Sequence, residues 1–319
     1  MTTVYHDSRH DDDLRRSNLY AGDIYVYSPT EEGLALCEFA KEQCVRAFEP
    51  HQPPVAHRSF NVQQYSEILK RLKPGFIHHP RCKELLPALL SRLGCGPEDT
   101  YFDVPRLRTA CPSDYLSSGL AYAFKPHRDS WYSTPMCQLN WWLPVYPVSS
   151  DNCMAFHPHY WDRPVRNSSA GFNYQQWNEV GRKQAHHQGR KDTRVQSEAL
   201  EEVQLDPQIR IVCEPGSVIV FSAAHLHSTV PNCTDQTRIS IDFRTVNLND
   251  LRSNGGAPNY DGESTGTTTH DYLRCSDQTN LPDEIVEHFR QLKPLPLFPN
   301  NYSLDAGPDS LEHPPEVPS

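Results

Sequence analysis

Residues 215–232 read Pro-Gly-Ser-Val-Ile-Val-Phe-Ser-Ala-Ala-His-Leu-His-Ser-Thr-Val-Pro-Asn. The Pro-Gly pair is typical of a turn, and the β-branched and aromatic run from Val218 to Phe221 predicts a buried strand. Two histidines follow, His225 and His227. Residues two apart on an extended chain point to the same face, so either ring could serve one site. This stretch predicts a β-rich centre with a histidine just after a strand.

Similar strand signals occur on both sides of this stretch. Strands are predicted at residues 116–125, 136–146, 152–157, 209–213, 217–222 and 238–246. In the last of them, apolar and polar residues alternate from Arg238 onward, which predicts one apolar and one polar face. We therefore expect a mainly β fold with flanking helices: a double-stranded β-helix, or cupin-like jelly roll, whose open end holds a ligand.

The rest of the chain is expected to complete a single domain of 319 residues. Its predicted parts are a mainly helical support at 1–105 that begins with a loose polar arm at 1–20, a jelly-roll core at 106–250 with an insertion at 160–206, and a loop, helix and Pro-rich tail at 251–319. Helices are predicted at 34–48, 65–72, 82–93, 178–190, 197–205 and 282–292, and a flexible loop at 255–269. Because the insertion is polar and lacks strand signals, it is the candidate lid.

Charge and composition argue against several classes of protein. The formal net charge of −10 disfavours a nucleic-acid-binding surface, which would carry a basic stripe. No apolar run is long enough to cross a bilayer, so we expect no membrane partner. The ten cysteines form no CxxC pair and no secretory signal precedes them, which favours free thiols in the cytoplasm. The oligomeric state is not indicated.

A second motif lies about a hundred residues before the histidine pair. Lys125-Pro126-His127-Arg128-Asp129 places an imidazole and a carboxylate two residues apart. With one histidine from the later stretch, the pair would form the two-histidine, one-carboxylate facial triad of a non-haem Fe(II) oxygenase, which leaves coordination positions open. The pattern alone is weak, since His10 and Asp12 also fit it. The alternative is a loop histidine beside a solvated carboxylate.

Arg238 is the third candidate. It lies eleven residues after His227, at the start of a predicted core strand. An inward-pointing arginine on such a strand is costly unless it meets an anion. A dicarboxylic cosubstrate would supply one, gripped by the planar guanidinium. The alternative is an exposed strand terminus.

In their order along the chain, these motifs resemble a known family. The motifs are His127-Arg128-Asp129, residues 151–159, Pro215-Gly216-Ser217, and residues 227–232 followed by Arg238. They resemble the Fe(II)/2-oxoglutarate-dependent dioxygenases, and within them the phytanoyl-CoA dioxygenase-like branch. The resemblance covers residues 119–246, under half of the chain. It implies an enzyme that uses Fe(II), 2-oxoglutarate and O2, and that couples decarboxylation of 2-oxoglutarate to succinate with oxidation of a C–H bond.

The resemblance also implies roles for single residues. His127, Asp129 and His227 would bind the iron; His225 is the alternative, disfavoured by its interval to Arg238. Arg238 would pair with the distal carboxylate of 2-oxoglutarate. The remaining expected pocket residues are Thr229, which would contact that carboxylate, Trp142, which would form an aromatic wall or else a plain core contact, and Gln138, Asn140, Tyr122 and Lys125, which could face the pocket.

One feature narrows the implied chemistry, and a second leaves part of the site open. Relatives that halogenate carry a small residue where this chain has Asp129, so the carboxylate favours hydroxylation or another oxygen-dependent oxidation. The family's Asn-Gly turn is Asn152-Cys153 here, which leaves the shape of that rim open. We expect a small-molecule substrate, with natural-product biosynthesis as a candidate setting. The alternatives are a non-catalytic jelly-roll metal- or ligand-binding protein and a protein-modifying hydroxylase.

Overall fold

The computed structural model describes residues 1–113, 115–122, 124–187 and 194–298. Eleven strands form two sheets in this part of the chain. The strands are β1 (Val4–His6), β2 (Ile24–Tyr27), β3 (Thr100–Phe102), β4 (Arg106–Ala110), β5 (Leu139–Pro144), β6 (Met154–Phe156), β7 (Ile209–Ile211), β8 (Val218–Ser222), β9 (His227–Thr229), β10 (Arg238–Asn247) and β11 (Leu273–Arg274). Their arrangement confirms the jelly-roll prediction.

The larger sheet is organised around β10, which has ten residues. Its order is β1-β2-β8-β5-β10-β3-β11, and β4 pairs with the first half of β10 beside β3. The smaller sheet has the order β7-β6-β9. Apolar residues from both sheets, among them Trp142, Phe156 and Phe221, pack between them. This interior is where the histidine-bearing β9 faces the larger sheet.

Helices flank the larger sheet, and the three longest of them pack on its outer face. The helices are α1 (Asp12–Tyr20), α2 (Glu31–Phe48), α3 (Val62–Ile77), α4 (Pro80–Arg92), α5 (Tyr174–Gln176), α6 (Leu248–Arg252) and α7 (Asp283–Gln291). The odd-numbered residues of β10 (Ile239, Ile241 and Phe243) pack in the same cluster as α2, α3 and α4. The even-numbered residues therefore face the interior between the sheets. None of the described helices is long and apolar enough to span a bilayer.

The N-terminal prediction was wrong. Residues 1–20 are not a loose arm, because β1 pairs in parallel with β2 and α1 follows. Arg15, on α1, is 1% exposed and forms an ion pair with Asp12. Because β1 to β3 all precede residue 105, the N-terminal part supplies sheet as well as helices. The division into one domain with these parts stays a prediction.

Two further predictions were also wrong. Residues 116–125 contain no described strand; a 3-10 turn at Gly119–Ala121 interrupts them, and Gly119 has a φ of 58°. Helix α3 does not end before Pro74 but runs to Ile77. Loss of one intrahelical hydrogen bond at Pro74 is offset because Phe76, beyond it, is fully buried.

The insertion and the later loop differ in structure from the predictions. Residues 197–205 are not helical, because a bridge between Asn167 and Ala199 holds them extended. The helix predicted at 178–190 is a π-turn at Trp177–Gly181 and a 3-10 segment at Arg182–His187, with residues 188–190 outside the described part. Residues 255–269 do not form a fully exposed loop: Asp261 within them is fully buried. The predicted helix at 282–292 is confirmed, and the tail from residue 299 lies outside the described residues.

Candidate metal and 2-oxoglutarate site

Two histidines face each other where the first motif meets β9. His127 and His227 form an isolated antiparallel bridge in which each backbone N–H donates to the other's carbonyl at 3.0 Å. The ring centroids are 4.4 Å apart. The backbone bridge thus fixes the spacing of the two rings, although they are a hundred residues apart in the chain.

Backbone carbonyls set the tautomer of both rings. The Nδ1 atom of His127 lies 2.8 Å from the Lys125 carbonyl, and that of His227 lies 3.0 Å from the His225 carbonyl. A carbonyl only accepts, so both Nδ1 atoms carry the proton and both Nε2 atoms keep a lone pair. A neutral imidazole oriented in this way by its second nitrogen is the usual form of a metal-binding histidine.

Asp129 completes the group. Its Oδ1 lies 3.4 Å from His127 Nε2, and one ligand atom from each of Asp129, His127 and His227 lies within 4.8 Å of the others. Burial opposes ionisation of Asp129, but contact with His127 and the Arg244 guanidinium outweighs it and holds the pKa below its usual range. Burial beside His127 lowers the pKa of His227 to about 3. A divalent metal ion would satisfy three converging lone-pair atoms, so the residues fit such an ion.

His225 and the His10/Asp12 pair were the alternatives for the metal site, and each has other contacts in the structure. The His225 ring packs against Trp161, with centroids 4.6 Å apart, and it is not among the grouped ligand atoms. Burial and the nearby Arg128 lower the His225 pKa to about 3. His10 Nδ1 lies 2.7 Å from the Tyr25 hydroxyl, and Asp12 forms ion pairs with arginines of its own helix.

Arg238 lies on the interior face of β10, as expected for an anion-binding residue. Its guanidinium carbon is 5.7 Å from the Trp142 ring centroid, and Nη1 donates to the carbonyls of Asn152 and Cys153 at 3.3 Å. Its buried Nε and the buried Ser240 hydroxyl have no partner among the described residues. Burial lowers the Arg238 pKa to about 10, which still leaves it charged at neutral pH. Unpaired buried donors of this kind fit a carboxylate.

A hydrogen-bond chain leads to a third unpaired donor. The Tyr272 hydroxyl donates to Gln138 Oε1 at 2.8 Å, and Gln138 Nε2 donates to Asn140 Oδ1 at 2.9 Å. This fixes the amide of Asn140, whose buried Nδ2 has no partner in the described structure. Asn140 lies on β5 directly across from Arg244 of β10, so its amide is directed to the interior face.

The chain matches one family model over more than half of its length. That model is the phytanoyl-CoA dioxygenase (PhyH) family, matched by residues 26–240. The chain belongs to the phytanoyl-CoA dioxygenase family. Iron, 2-oxoglutarate and O2 are the cofactor and cosubstrates of this family, and the grouped His127, Asp129 and His227 fit such a metal. No curated protein sequence matches the chain.

Two solved structures that contain 2-oxoglutarate (alpha ketoglutarate) are similar to this chain at low identity. The epimerase SnoN, in complex with Fe3+, alpha ketoglutarate and nogalamycin RO, is 16% identical with a TM-score of 0.38, over 74% of this chain and 85% of SnoN. EvdO2 from Micromonospora carbonacea var. aurantiaca, complexed with 2-oxoglutarate, is 16% identical with a TM-score of 0.35, over 55% of this chain. The chain spans 62% of the length of EvdO2. Similarity this low does not extend to substrate.

The other expected pocket residues differ in position. Thr229 lies on β9 two residues beyond His227, and its backbone N–H donates to the Phe124 carbonyl at 3.0 Å. The Tyr122 hydroxyl donates to Glu198 at 3.1 Å. The Lys125 side chain is 72% exposed and pairs with Glu198 outside the interior, so the expectation that it faces the pocket was wrong.

The sequence did not predict a set of charged residues in the interior between the two sheets. Arg108 of β4 forms a two-point ion pair with Asp242, at 2.6 and 3.2 Å. Arg106 pairs with Asp103 at 2.5 Å, and Arg244 Nη2 lies 3.6 Å from Asp129 Oδ2. The alternation of polar and apolar residues in β10 could have identified Asp242 and Arg244 as interior residues. Residues an even number of positions from Arg238 lie on the same face of the strand.

Proposed function

We propose that this oxygenase hydroxylates a C–H bond of a small molecule, with His127, Asp129 and His227 as iron ligands and Arg238 as the anchor for 2-oxoglutarate. The observation that carries the proposal is the convergence of three ligand atoms within 4.8 Å, on the same interior that holds the unpaired Nε of Arg238. A non-catalytic binding protein has no need for both a three-residue metal site and a buried arginine with an unpaired donor. The carboxylate of Asp129 favours oxygen insertion over halogenation.

In this proposal each residue has one task. Bound iron and 2-oxoglutarate supply the oxidising chemistry, through decarboxylation to succinate. His127 and His227 hold their Nε2 atoms at the metal position because their Nδ1 protons are committed to carbonyls. Arg238 and Ser240 would pair with the distal carboxylate, and the Trp142 ring would form one wall. Thr229 and Asn140 would donate to cosubstrate oxygens, and Gln138 would orient Asn140.

The direct test is formation of succinate from 2-oxoglutarate with Fe(II) and O2. We expect slow formation without substrate and none in Asp129→Ala. We expect Arg238→Gln to raise the KM for 2-oxoglutarate about 10- to 100-fold, the range for loss of charge-assisted hydrogen bonds. Arg210→Gln, on β7 at the far edge of the smaller sheet, is the matched control and should leave KM unchanged. An unchanged KM in Arg238→Gln would show that another residue holds the cosubstrate.

The setting is part of the same proposal. All ten cysteines are free thiols in the structure, which is consistent with a cytoplasmic enzyme. A natural-product substrate remains the preferred class of small molecule. A protein-modifying hydroxylase is distinguished by comparing succinate formation with small molecules and with unfolded polypeptide as the added substrate.

A further inference from the structure

The interior face of β10 places a carboxylate between the two ends of the proposed cosubstrate site. The polar residues on this face are Arg238, Ser240, Asp242 and Arg244. Arg238 is the proposed anchor for the distal carboxylate of 2-oxoglutarate. At the other end, Arg244 Nη2 lies 3.6 Å from Oδ2 of the proposed iron ligand Asp129. A cosubstrate that joins Arg238 to that iron therefore runs past Asp242.

Asp242 lies close to both of these ends. Trp142 on β5 is its direct partner across the sheet, and the guanidinium carbon of Arg238 lies 5.7 Å from the centroid of the Trp142 ring. Asp242 Oδ2 also lies 3.6 Å from Arg244 Nη2. Burial opposes ionisation of Asp242, but the positive Arg108 and Arg244 outweigh it and hold the pKa of this carboxyl below its usual range. The cosubstrate is a dianion, so an uncompensated carboxylate at this position would repel it.

Arg108 on β4 is the cation that compensates Asp242 most directly. Its Nε and Nη2 atoms donate to the two carboxylate oxygens at 2.6 and 3.2 Å. The guanidinium carbon also lies 5.2 Å from the centroid of the Phe124 ring. That ring stacks on the ring of the proposed iron ligand His127, with centroids 4.8 Å apart. Two hydrogen bonds and an aromatic contact thus fix the Arg108 charge beside the path of the cosubstrate.

The other cations near Asp242 are less available to it. Arg106 is its partner across the sheet on β4, but Arg106 Nη1 lies 2.5 Å from Asp103. Arg244 also pairs with Asp103, at 3.4 Å. Lys73 on α3 donates to a backbone carbonyl, and burial together with the positive Arg108 lowers its pKa to about 7. Lys73 is therefore only partly charged at neutral pH, and compensation of Asp242 depends mainly on Arg108.

We propose that Arg108 is a positioning residue for 2-oxoglutarate: it compensates the Asp242 carboxylate, so that the dianion can lie beside it. The inference rests on the proposed function, because it takes Arg238 as the anchor and Asp129 as an iron ligand. Arg108 acts through Asp242 and does not contact the cosubstrate. If the pair only stabilised the fold, loss of either partner would weaken 2-oxoglutarate binding. Charge compensation predicts different effects for the two partners, because removal of the Asp242 charge also removes the repulsion.

The test is the Kd for 2-oxoglutarate, measured by calorimetric titration at pH 8 of protein loaded with Ni(II), which is redox-inert here. We expect Arg108→Gln to raise this Kd about tenfold or more, because Asp242 then faces the dianion without its main counter-charge. Arg108→Lys keeps the charge and should stay within about threefold of the wild type. Asp242→Asn should not raise the Kd. The double variant Arg108→Gln/Asp242→Asn should return it to within about threefold of the wild type.

Arg16→Gln is the matched control, because it breaks a partly buried ion pair with Asp250 between α1 and α6. It should leave the Kd for 2-oxoglutarate unchanged. Circular dichroism shows which variants fold; if Arg108→Gln does not fold, Asp242→Asn and the double variant decide the question. A Kd raised about tenfold in either of these two would mean that the pair acts through packing alone, and the proposal would be wrong.

The outcomes also separate this inference from the proposed function. Binding of Ni(II) and 2-oxoglutarate to the wild type is measured first, by the same calorimetry. If the wild type binds neither, the proposed site itself is wrong. If it binds both and Arg108→Gln keeps the wild-type Kd, the inference on Arg108 is wrong and the proposed function stands.

Discussion

Arg128 and Asp261 form a buried ion pair, with Nε and Oδ2 3.0 Å apart. Arg128 stands between the two metal-ligand candidates of the first motif, and Asp261 comes from the loop at 255–269. Asp261 also accepts from the Trp131 indole at 2.7 Å and the Val165 N–H at 2.8 Å. The Arg128 guanidinium in turn donates to the carbonyl of Ala224, three residues before His227. The Arg128–Asp261 pair thus ties the His127 loop, the insertion and the turn before His227 together.

Asp261→Asn is expected to destabilise the protein and weaken its metal site. The substitution leaves the Arg128 charge buried without a counter-charge, which costs about 3–5 kcal/mol. In the fraction that stays folded, looser ligand loops should weaken Ni(II) binding about tenfold or more. Urea unfolding gives the first quantity and calorimetric titration at low temperature gives the second.

Asp250→Asn is the matched control for this substitution. Asp250 forms a partly buried ion pair with Arg16 at 2.8 Å, between α1 and α6 and outside the ligand loops. It should lower the free energy of unfolding without changing the affinity for Ni(II). Equal losses of metal affinity in the two variants would mean that Asp261 acts only through global stability.

Metal should stabilise the protein through the first motif and not through its decoy. At a free Ni(II) concentration of about 100 times Kd, binding adds about 3 kcal/mol to the free energy of unfolding. We expect His127→Ala to abolish this increment and His10→Ala to retain it, since His10 contacts Tyr25 instead. Chemical unfolding with and without Ni(II) measures both. A full increment in His127→Ala would remove that residue from the site.

Two central strands of the chain were predictable, but its long-range pairings were not. The apolar run at 217–222 and the alternation at 238–246 identified β8 and β10 because each pattern is local. Strands β1 and β9 are only three residues long, too short for an alternating pattern to identify them. Such short strands are stable through their partners, which the sequence does not reveal.

The residues of the site also fall into two groups, those that the sequence predicts and those that it does not. His127, Asp129 and His227 were selected by spacing, and the structure groups them. The ion pairs of Arg128 with Asp261 and of Arg108 with Asp242 join residues that lie more than 130 positions apart in the chain. A buried arginine is recognisable from sequence only when its strand and face are known. Only Arg238 satisfied that condition, through its interval from His227.

Tyr272→Phe is expected to weaken 2-oxoglutarate binding, although Tyr272 would act through Gln138 and Asn140 and would not contact the cosubstrate itself. The change removes the donor to Gln138, so the amides of Gln138 and Asn140 lose their fixed orientation. A loss of about 1 kcal/mol corresponds to a roughly fivefold higher Kd for 2-oxoglutarate. Tyr101→Phe is the control: this hydroxyl accepts from Arg274 at 2.9 Å, away from the chain that leads to Asn140. The same Kd in all three proteins would show that Asn140 does not contact the cosubstrate.

Lys73 should make the free energy of unfolding depend on pH, and substitution of this residue should remove its contribution. Burial on α3, together with the positive Arg108, lowers the pKa of Lys73 from 10.5 to about 7. Above pH 7 the folded state holds a neutral amine while the unfolded state still binds a proton, so this residue's contribution to stability rises with pH.

Lys73→Met removes that dependence. Its stabilising effect relative to the wild type should therefore shrink by about 2 kcal/mol between pH 7 and pH 9. The other titrating groups are common to both proteins and cancel in the difference. Lys70→Met, an exposed position on the same helix, should show a constant difference over this range. Urea unfolding at pH 6, 7, 8 and 9 gives the profile, and a flat difference for Lys73→Met would place a charged amine in the folded core.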